Sequence, residues 1–160
     1  MSDGVAPICV APDPHGPIRP EDDGGCAIGN GRPEPPTILV VEDEVLIRFS
    51  VADYLRDGGY RVIGVKTAEE AQALIRAGEP VAILFSDIDL GPGLSGVDLA
   101  QWTRDHDGAI RIILTSGVAH ITDAASAEFC DRPLLRKPYS YRALGEHITA
   151  LLGATDRHSV

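Results

Sequence analysis

Four short stretches of this chain carry side chains able to act together on a phosphoryl group, and each follows directly on an apolar run. Glu42-Asp43-Glu44 comes after Ile38–Val41, Ser86-Asp87 after Val81–Phe85, Thr115-Ser116 after Ile110–Leu114, and Lys137-Pro138 after Leu134-Leu135 and Arg136. Glu42, Asp43 and Asp87, if brought together, crowd three carboxylates into one place. Two unit charges about 4 Å apart repel by roughly 4 kcal/mol at an effective dielectric near 20. A cluster of that kind either holds protons or binds a hard cation. Magnesium takes oxygen ligands and keeps several waters, so a few carboxylates and one carbonyl suit it. A cation there neutralises an incoming phosphoryl group and lets the Asp87 carboxylate act as nucleophile. The Lys137 ammonium would pair with one phosphoryl oxygen and the Thr115 hydroxyl would donate to another. Each piece has a plainer explanation by itself: acids ahead of a helix complement its dipole, and a lone Asp caps turns. Four complementary groups delivered to one edge are what favour the chemical reading.

The delivery depends on the elements between these stretches. The runs Ile38–Val41, Arg61–Val65, Val81–Phe85, Ile110–Leu114 and Leu134-Leu135 have strand length, and those near positions 40, 83 and 112 are apolar nearly throughout. Strands covered on both faces read that way. Helical periodicity fills the gaps. Val45, Phe49, Ala52 and Leu55 recur at three or four residues and stop before Gly58-Gly59. Thr67 and Glu70 have capping-box spacing ahead of Ala71, Leu74 and Ile75. A third helix is expected over about 97–106, a weaker one over about 121–129, and a last one carrying Tyr141, Leu144, Ile148 and Leu151 on one stripe, ending near Leu152. The pattern is (βα)5: a parallel five-stranded sheet with helices on both faces. In such sheets ligands sit beyond the carboxyl ends of the strands, where the four stretches lie.

Composition narrows the function classes. An apolar fraction of 44% and a charged fraction of 24% are those of a globular protein with a real core. The net charge of −10 argues against a nucleic-acid surface, which needs clustered Lys and Arg. No apolar run approaches a membrane span, and the N-terminus lacks the basic region of a secretory signal. Cys9, Cys26 and Cys130 are too widely spaced for a disulfide framework or a zinc site, which suits a reducing cytoplasm. The five histidines show no ligand spacing, and Trp102 packs on the third helix without an assigned role. Residues 1–36 hold 8 of the 12 prolines and 6 of the 17 glycines, a density that reads as a disordered leader. The expected organisation is a leader over 1–36, a domain over 37–153 and a short tail over 154–160.

From Thr37 to about Gly153 the chain resembles the receiver domain of bacterial two-component response regulators. The resemblance rests on Val40-Val41-Glu42-Asp43-Glu44, on Phe85-Ser86-Asp87-Ile88-Asp89-Leu90-Gly91-Pro92-Gly93, on Thr115-Ser116-Gly117 and on Lys137-Pro138-Tyr139. The residues 43, 87, 115 and 137 are spaced by 44, 28 and 22. The resemblance implies a flavodoxin-like three-layer sandwich of strand order 2-1-3-4-5, with Asp87 as the phosphorylation site. Glu42, Asp43, Asp87 and the backbone carbonyl of Asp89 become magnesium contacts, and Thr115 and Lys137 the groups that sense the phosphoryl oxygens. A cis peptide is implied at Lys137-Pro138. The implied donor is a histidine kinase or a histidine phosphotransfer protein, and the implied output is a downstream protein, with neither nucleic acid nor membrane as partner. With only Gly153–Val160 beyond the last helix, the expectation is a stand-alone receiver that docks, relays or drains its phosphoryl group. It would be a phosphoacceptor with self-catalysed transfer, not an enzyme acting on a separate substrate. The expected docking surface is that of the family, made by the last two helices and the fifth strand.

Two positions depart from the family pattern. Leu134 stands where an aromatic ring usually does, three residues before the lysine, which leaves Tyr139 or Tyr141 to report movement of Thr115. Asp89, two residues after Asp87, either orients the water that hydrolyses an acyl phosphate or repels it. An enzyme alternative is a phosphatase of the haloacid-dehalogenase type, with Asp87 as nucleophile and Asp89 as acid. That pair normally follows the first strand, however, and no later acidic motif is present to hold the metal. A flavodoxin-like nucleotide binder would need a Gly- or Ser/Thr-rich phosphate loop where Glu42-Asp43-Glu44 stands.

Overall fold

In the computed structural model the described residues are 34–117 and 130–155, all within one unit of the chain, Pro33–Val160. The elements run β1 (Thr37–Val41), α1 (Val45–Asp57), β2 (Arg61–Val65), α2 (Ala68–Arg76), β3 (Val81–Asp87), α3 (Gly96–His106), β4 (Arg111–Ser116), β5 (Leu135–Arg136) and α4 (Tyr141–Thr155). The strands form one sheet of order β2-β1-β3-β4-β5, and every neighbouring pair is parallel. The weaker helix expected over 121–129, and the expected leader apart from 34–36, lie outside the described residues. No helix among the described residues is long and apolar enough to cross a membrane.

The continuous apolar strands split into two cores because successive side chains point to opposite faces. Leu39, Val41, Leu84, Ile112 and Leu114 face one way and pack with Ala68 and Ala71 of α2 and Leu99 and Ala100 of α3. Ile38, Val40, Ile83, Phe85 and Ile113 face the other way and pack with Val51 and Leu55 of α1 and Leu144, Ile148 and Leu151 of α4. This is the expected three-layer sandwich.

Local chemistry fixes where the helices start. The Thr67 hydroxyl accepts from the Glu70 amide at 3.3 Å, but the Glu70 carboxylate reaches back to the amide of Lys66, at 2.8 Å, and not to that of Thr67. The capping box expected there is thus displaced by one residue. Ser95 and Asp98 make the reciprocal box at α3, with the Asp98 amide donating to Ser95 Oγ at 3.1 Å and the Ser95 amide to Asp98 Oδ2 at 2.9 Å. At the C-terminus of α1 the chain reverses through Gly59, whose φ of +87° lies in the left-handed region.

Two features differ from the sequence reading. Val45 and Phe49 share the helical spacing of Ala52 and Leu55, yet they are 48% and 58% exposed; the buried stripe of α1 is Val51, Ala52 and Leu55. Of the first turns of α1, Ile47 packs against the core while Val45, Leu46 and Phe49 stay exposed. The other is β5, expected as the two-residue run Leu134-Leu135 and found one residue later at Leu135–Arg136; among the described residues most of the edge of β4 has no strand beside it. Asp131 takes the place of that strand, its amide donating to the Ile112 carbonyl at 3.0 Å and its Oδ2 accepting from the Ile112 amide at 2.7 Å. Arg104 of α3 holds the same carboxylate at 2.5 Å, which anchors the segment leading to Lys137.

Replacing Leu144 by Ala removes a fully buried side chain from between α4 and the sheet and should cost about 2–5 kcal/mol. Phe49→Ala should stay within about 0.5 kcal/mol, because that ring is mostly solvated. Urea unfolding of both variants checks the assignment of the α1 face.

Candidate functional site

Register brings the expected residues to one end of the sheet. Val41 is aligned with Ser86, Asp87 with Thr115, and Ser116 with Arg136. Backbone hydrogen bonds carry the alignment past the strand ends: the Ile88 amide donates to the Thr115 carbonyl at 2.9 Å and the Lys137 amide to the Ser116 carbonyl at 2.8 Å. The strand order reverses between β1 and β3, and Glu42-Asp43 and Asp87 stand at that switch point, where open α/β sheets hold their ligands.

Glu42, Asp43 and Asp87 each present a carboxylate oxygen, and these oxygens all lie within 4.8 Å of one another. Glu42 and Asp87 are buried and Asp43 is exposed. The Lys137 ammonium sits between the two buried acids, 2.6 Å from Asp87 Oδ2 and 2.9 Å from Glu42 Oε2. Burial pushes the Glu42 carboxyl up from its ordinary range; the hydrogen bond from Lys137 opposes that, and the Asp87 charge adds to it. For Lys137, burial works against the charge, but the hydrogen bonds to Asp87 and Glu42 outweigh it and hold the ammonium well above the ordinary lysine range. The second oxygen of Asp87, Oδ1, accepts from the Asp89 amide at 3.3 Å. Lys137-Pro138 is cis, as the family resemblance implies.

Thr115 is fully buried, and its hydroxyl has no hydrogen-bond partner among the described residues. The Asp89 side chain is exposed on the loop after β3, so Asp87-Ile88-Asp89 follows the third strand and not the first. Leu134 is half-buried and packs on the α2–α3 side of the sheet. Tyr139 packs edge-on against Phe85, with ring centroids 6.1 Å apart, and its buried hydroxyl also lacks a partner. Burial raises that phenol to about 12. Tyr141 is instead taken up in a stack on Tyr54, centroids 5.0 Å apart.

The donor set fits the expected metal. All three side chains offer oxygen, two of them are buried at fixed positions, and an exposed third leaves a side open for metal-bound water, which is what magnesium requires.

Three positions that matter here carry no chemical signature in the sequence. Gly96, the first residue of α3, lies so close to the site that a Cβ would stand 2.0 Å from the Asp87 carbonyl oxygen and 2.9 Å from Ile88 Cα. Arg48 of α1 donates to the Glu42 carbonyl at 2.5 Å. Gly91 turns the loop after Asp87 at φ +74° beside the Asp43 carboxylate. The capping box at Ser95 announces the helix start, which is the one signal that pointed toward Gly96.

A family model described as response regulator receiver domain matches residues 38–149. Among curated relatives, the two-component response regulator PhoP of Pseudomonas aeruginosa is 35% identical over 121 residues, covering 72% of this chain and 51% of PhoP. The sensory transduction protein RegX3 of Mycobacterium tuberculosis is 32% identical over 117 residues, covering 72% of this chain and 50% of RegX3. The chain thus spans about half the length of these relatives. Among solved structures, a CheY-like receiver domain protein from Methanospirillum hungatei superposes with a TM-score of 0.72 at 27% identity, covering 78% of this chain and 99% of that one. The response regulator TrrA of Thermotoga maritima, solved in complex with Mg(2+)-BeF, gives 0.66 at 29% identity, covering 72% and 98%.

Gly96→Ala should destabilise the fold by about 1–3 kcal/mol or more, because the atom it meets is backbone and has no rotamer to yield. A lowered urea midpoint checks this; an unchanged midpoint would mean that α3 does not seat on Asp87 this closely.

Proposed function

The chain belongs to the response regulator receiver domain family, and on that premise we propose that Asp87 accepts a phosphoryl group in a magnesium-dependent reaction whose outcome is read by another protein. The observation that carries this reading is Lys137 bridging Asp87 and Glu42 with Asp43 alongside, a cluster built from one cation and three acids. Glu42, Asp43, Asp87 and the backbone carbonyl of Asp89 would hold the ion. When bound, magnesium supplies charge neutralisation between the acids and the incoming phosphoryl oxygens. The similarity to TrrA, a protein solved with Mg(2+)-BeF, supports that assignment.

In the transfer an Asp87 carboxylate oxygen forms a bond to phosphorus while the donor's bond to phosphorus breaks and its electron pair stays with the donor. Lys137 moves from the Asp87 carboxylate to a phosphoryl oxygen, and the Thr115 hydroxyl gains an acceptor it lacks. Rearrangement of Thr115 biases the fold between two conformations. Tyr139, with its unpartnered hydroxyl beside the Lys137-Pro138 turn, reports the change in place of an aromatic at Leu134. The donor is a histidine kinase or a histidine phosphotransfer protein in the cytoplasm, and the acidic domain signals by docking or by relaying the group, not through nucleic acid.

Incubation with magnesium and acetyl phosphate should add one phosphoryl group by intact mass, and Asp87→Asn or a chelator should abolish the gain. If neither mass nor phosphate release changes, the proposal fails. Sustained turnover of phosphate monoesters would instead revive the phosphatase reading. Asp89→Ala should alter the lifetime of the phosphorylated protein, since the acid is exposed two residues after Asp87 and would either orient or repel hydrolytic water. An unchanged lifetime would remove the Asp89 side chain from the mechanism.

A further inference from the structure

The Glu42 carbonyl lies just past the end of β1, at a joint where the sheet pairing stops. Its own amide still pairs with the Val65 carbonyl at 3.2 Å, as the last rung between β1 and β2. Beyond Val65 the partner strand turns away: the Lys66 amide is taken by Glu70, and Thr67 already caps α2. The Glu42 carbonyl therefore has no strand amide to accept from. The Arg48 guanidinium supplies the missing donor at 2.5 Å.

Arg48 reaches that carbonyl along β2. A Cβ on Gly64 would stand 3.3 Å from Arg48 Cγ and 3.5 Å from Cδ, so the bare glycine backbone is the surface on which the arginine stem lies. Gly64 has no positive φ and no turn to make, and glycine inside a strand costs stability, often where another group approaches closely. Arg48 is half-buried and joins no ion pair among the described residues, although acids surround it in sequence. A guanidinium on the Glu42 or Asp43 carboxylate would compete with a metal. One on the carbonyl fixes the backbone and leaves the carboxylates available.

We propose that Arg48 is a positioning residue for the metal-binding end of the sheet, acting through the Glu42 carbonyl, and that Gly64 is retained to admit its side chain; the inference rests on the magnesium reading above. With Arg48 in place Glu42 is held at every polar atom: its amide by Val65, its carbonyl by Arg48, Oε1 by the Glu44 amide at 3.4 Å and Oε2 by Lys137. Outer groups that orient metal ligands commonly change metal affinity by 10–100-fold when removed.

The test is titration of the unphosphorylated protein with magnesium chloride, read by calorimetry and by amide shifts of residues 42–44 and 87–89, with urea unfolding in parallel. Arg48→Ala should weaken magnesium binding by about tenfold, and Arg48→Lys should recover part of the loss. Gly64→Val should weaken it similarly while keeping or raising the urea midpoint, since valine favours a strand. In the double variant the Gly64→Val change should cost nothing further, because its effect runs through Arg48. If Arg48→Ala does not fold, Gly64→Val carries the test alone. Wild-type protein that binds magnesium while these variants bind it equally well would overturn this inference and leave the phosphoacceptor reading standing. Wild-type protein that binds no magnesium would overturn both.

Discussion

Two buried carboxylates stand close together at the end of this sheet, and the one ammonium between them makes that arrangement tenable. At the separation of Glu42 and Asp87 oxygens, within 4.8 Å, like charges repel by roughly 3–4 kcal/mol at an effective dielectric near 20. Burial adds to the difficulty by removing solvent that would otherwise stabilise them. Lys137 answers both effects, because it donates to each acid from one position. The arrangement remains unsaturated, since one cation faces three acids. Asp43 is the exposed member of the three, so the cluster is open to solvent on that side.

Holding that geometry is a matter of backbone placement, and most of the fold serves it. Strands apolar on both faces lock β1, β3 and β4 between two helical layers, which fixes the positions of their carboxyl ends. At β5 the sheet is too short to do this alone, and Asp131 extends its function by pairing with the Ile112 backbone while Arg104 holds its carboxylate. On the opposite side of Asp87, α3 begins at a glycine because nothing larger fits against the Asp87 carbonyl. Asp87 is thus confined by backbone on two sides and by Lys137 on a third. Its freedom lies toward Asp43 and solvent.

Much of this was legible in the sequence, and the part that was not has a common cause. Runs such as Ile38–Val41 and Ile110–Leu114 identify buried parallel strands by their continuity, and the acids, hydroxyl and lysine that follow them identify the functional edge. The spacing of Val45, Phe49, Ala52 and Leu55 identifies α1, but period reports only which residues share a helix face, not whether that face meets the sheet. Phe49 shares the face and misses the core. Gly96, Arg48 and Gly64 escaped because their contributions pass through backbone atoms and through empty space. An arginine that bonds a carbonyl six residues away looks, in sequence, like any solvated arginine on a helix. A glycine that makes room for it looks like a weak point in a strand.

Two buried hydroxyls have no partner among the described residues, Thr115 Oγ1 and Tyr139 Oη, and they bear on how the proposed site would communicate. A buried donor left unsatisfied costs about 1–3 kcal/mol, so a conformation in which Thr115 finds an acceptor is favoured by about that amount. On the proposed reading, a phosphoryl oxygen on Asp87 would provide such an acceptor, since Asp87 is the register partner of Thr115 on the neighbouring strand. The energy available is enough to move a two-state equilibrium by roughly one to two powers of ten. Movement of Thr115 draws on the same strand end that carries Ser116, whose carbonyl accepts from Lys137, and the cis turn leads from there to Tyr139. Leu134 has neither a hydroxyl to satisfy nor a ring to reorient, and it is packed on the other face of the sheet. On the proposed phosphoacceptor reading, the route from Asp87 would therefore run along β4 to the Lys137-Pro138-Tyr139 turn, where the buried Tyr139 phenol has no partner among the described residues.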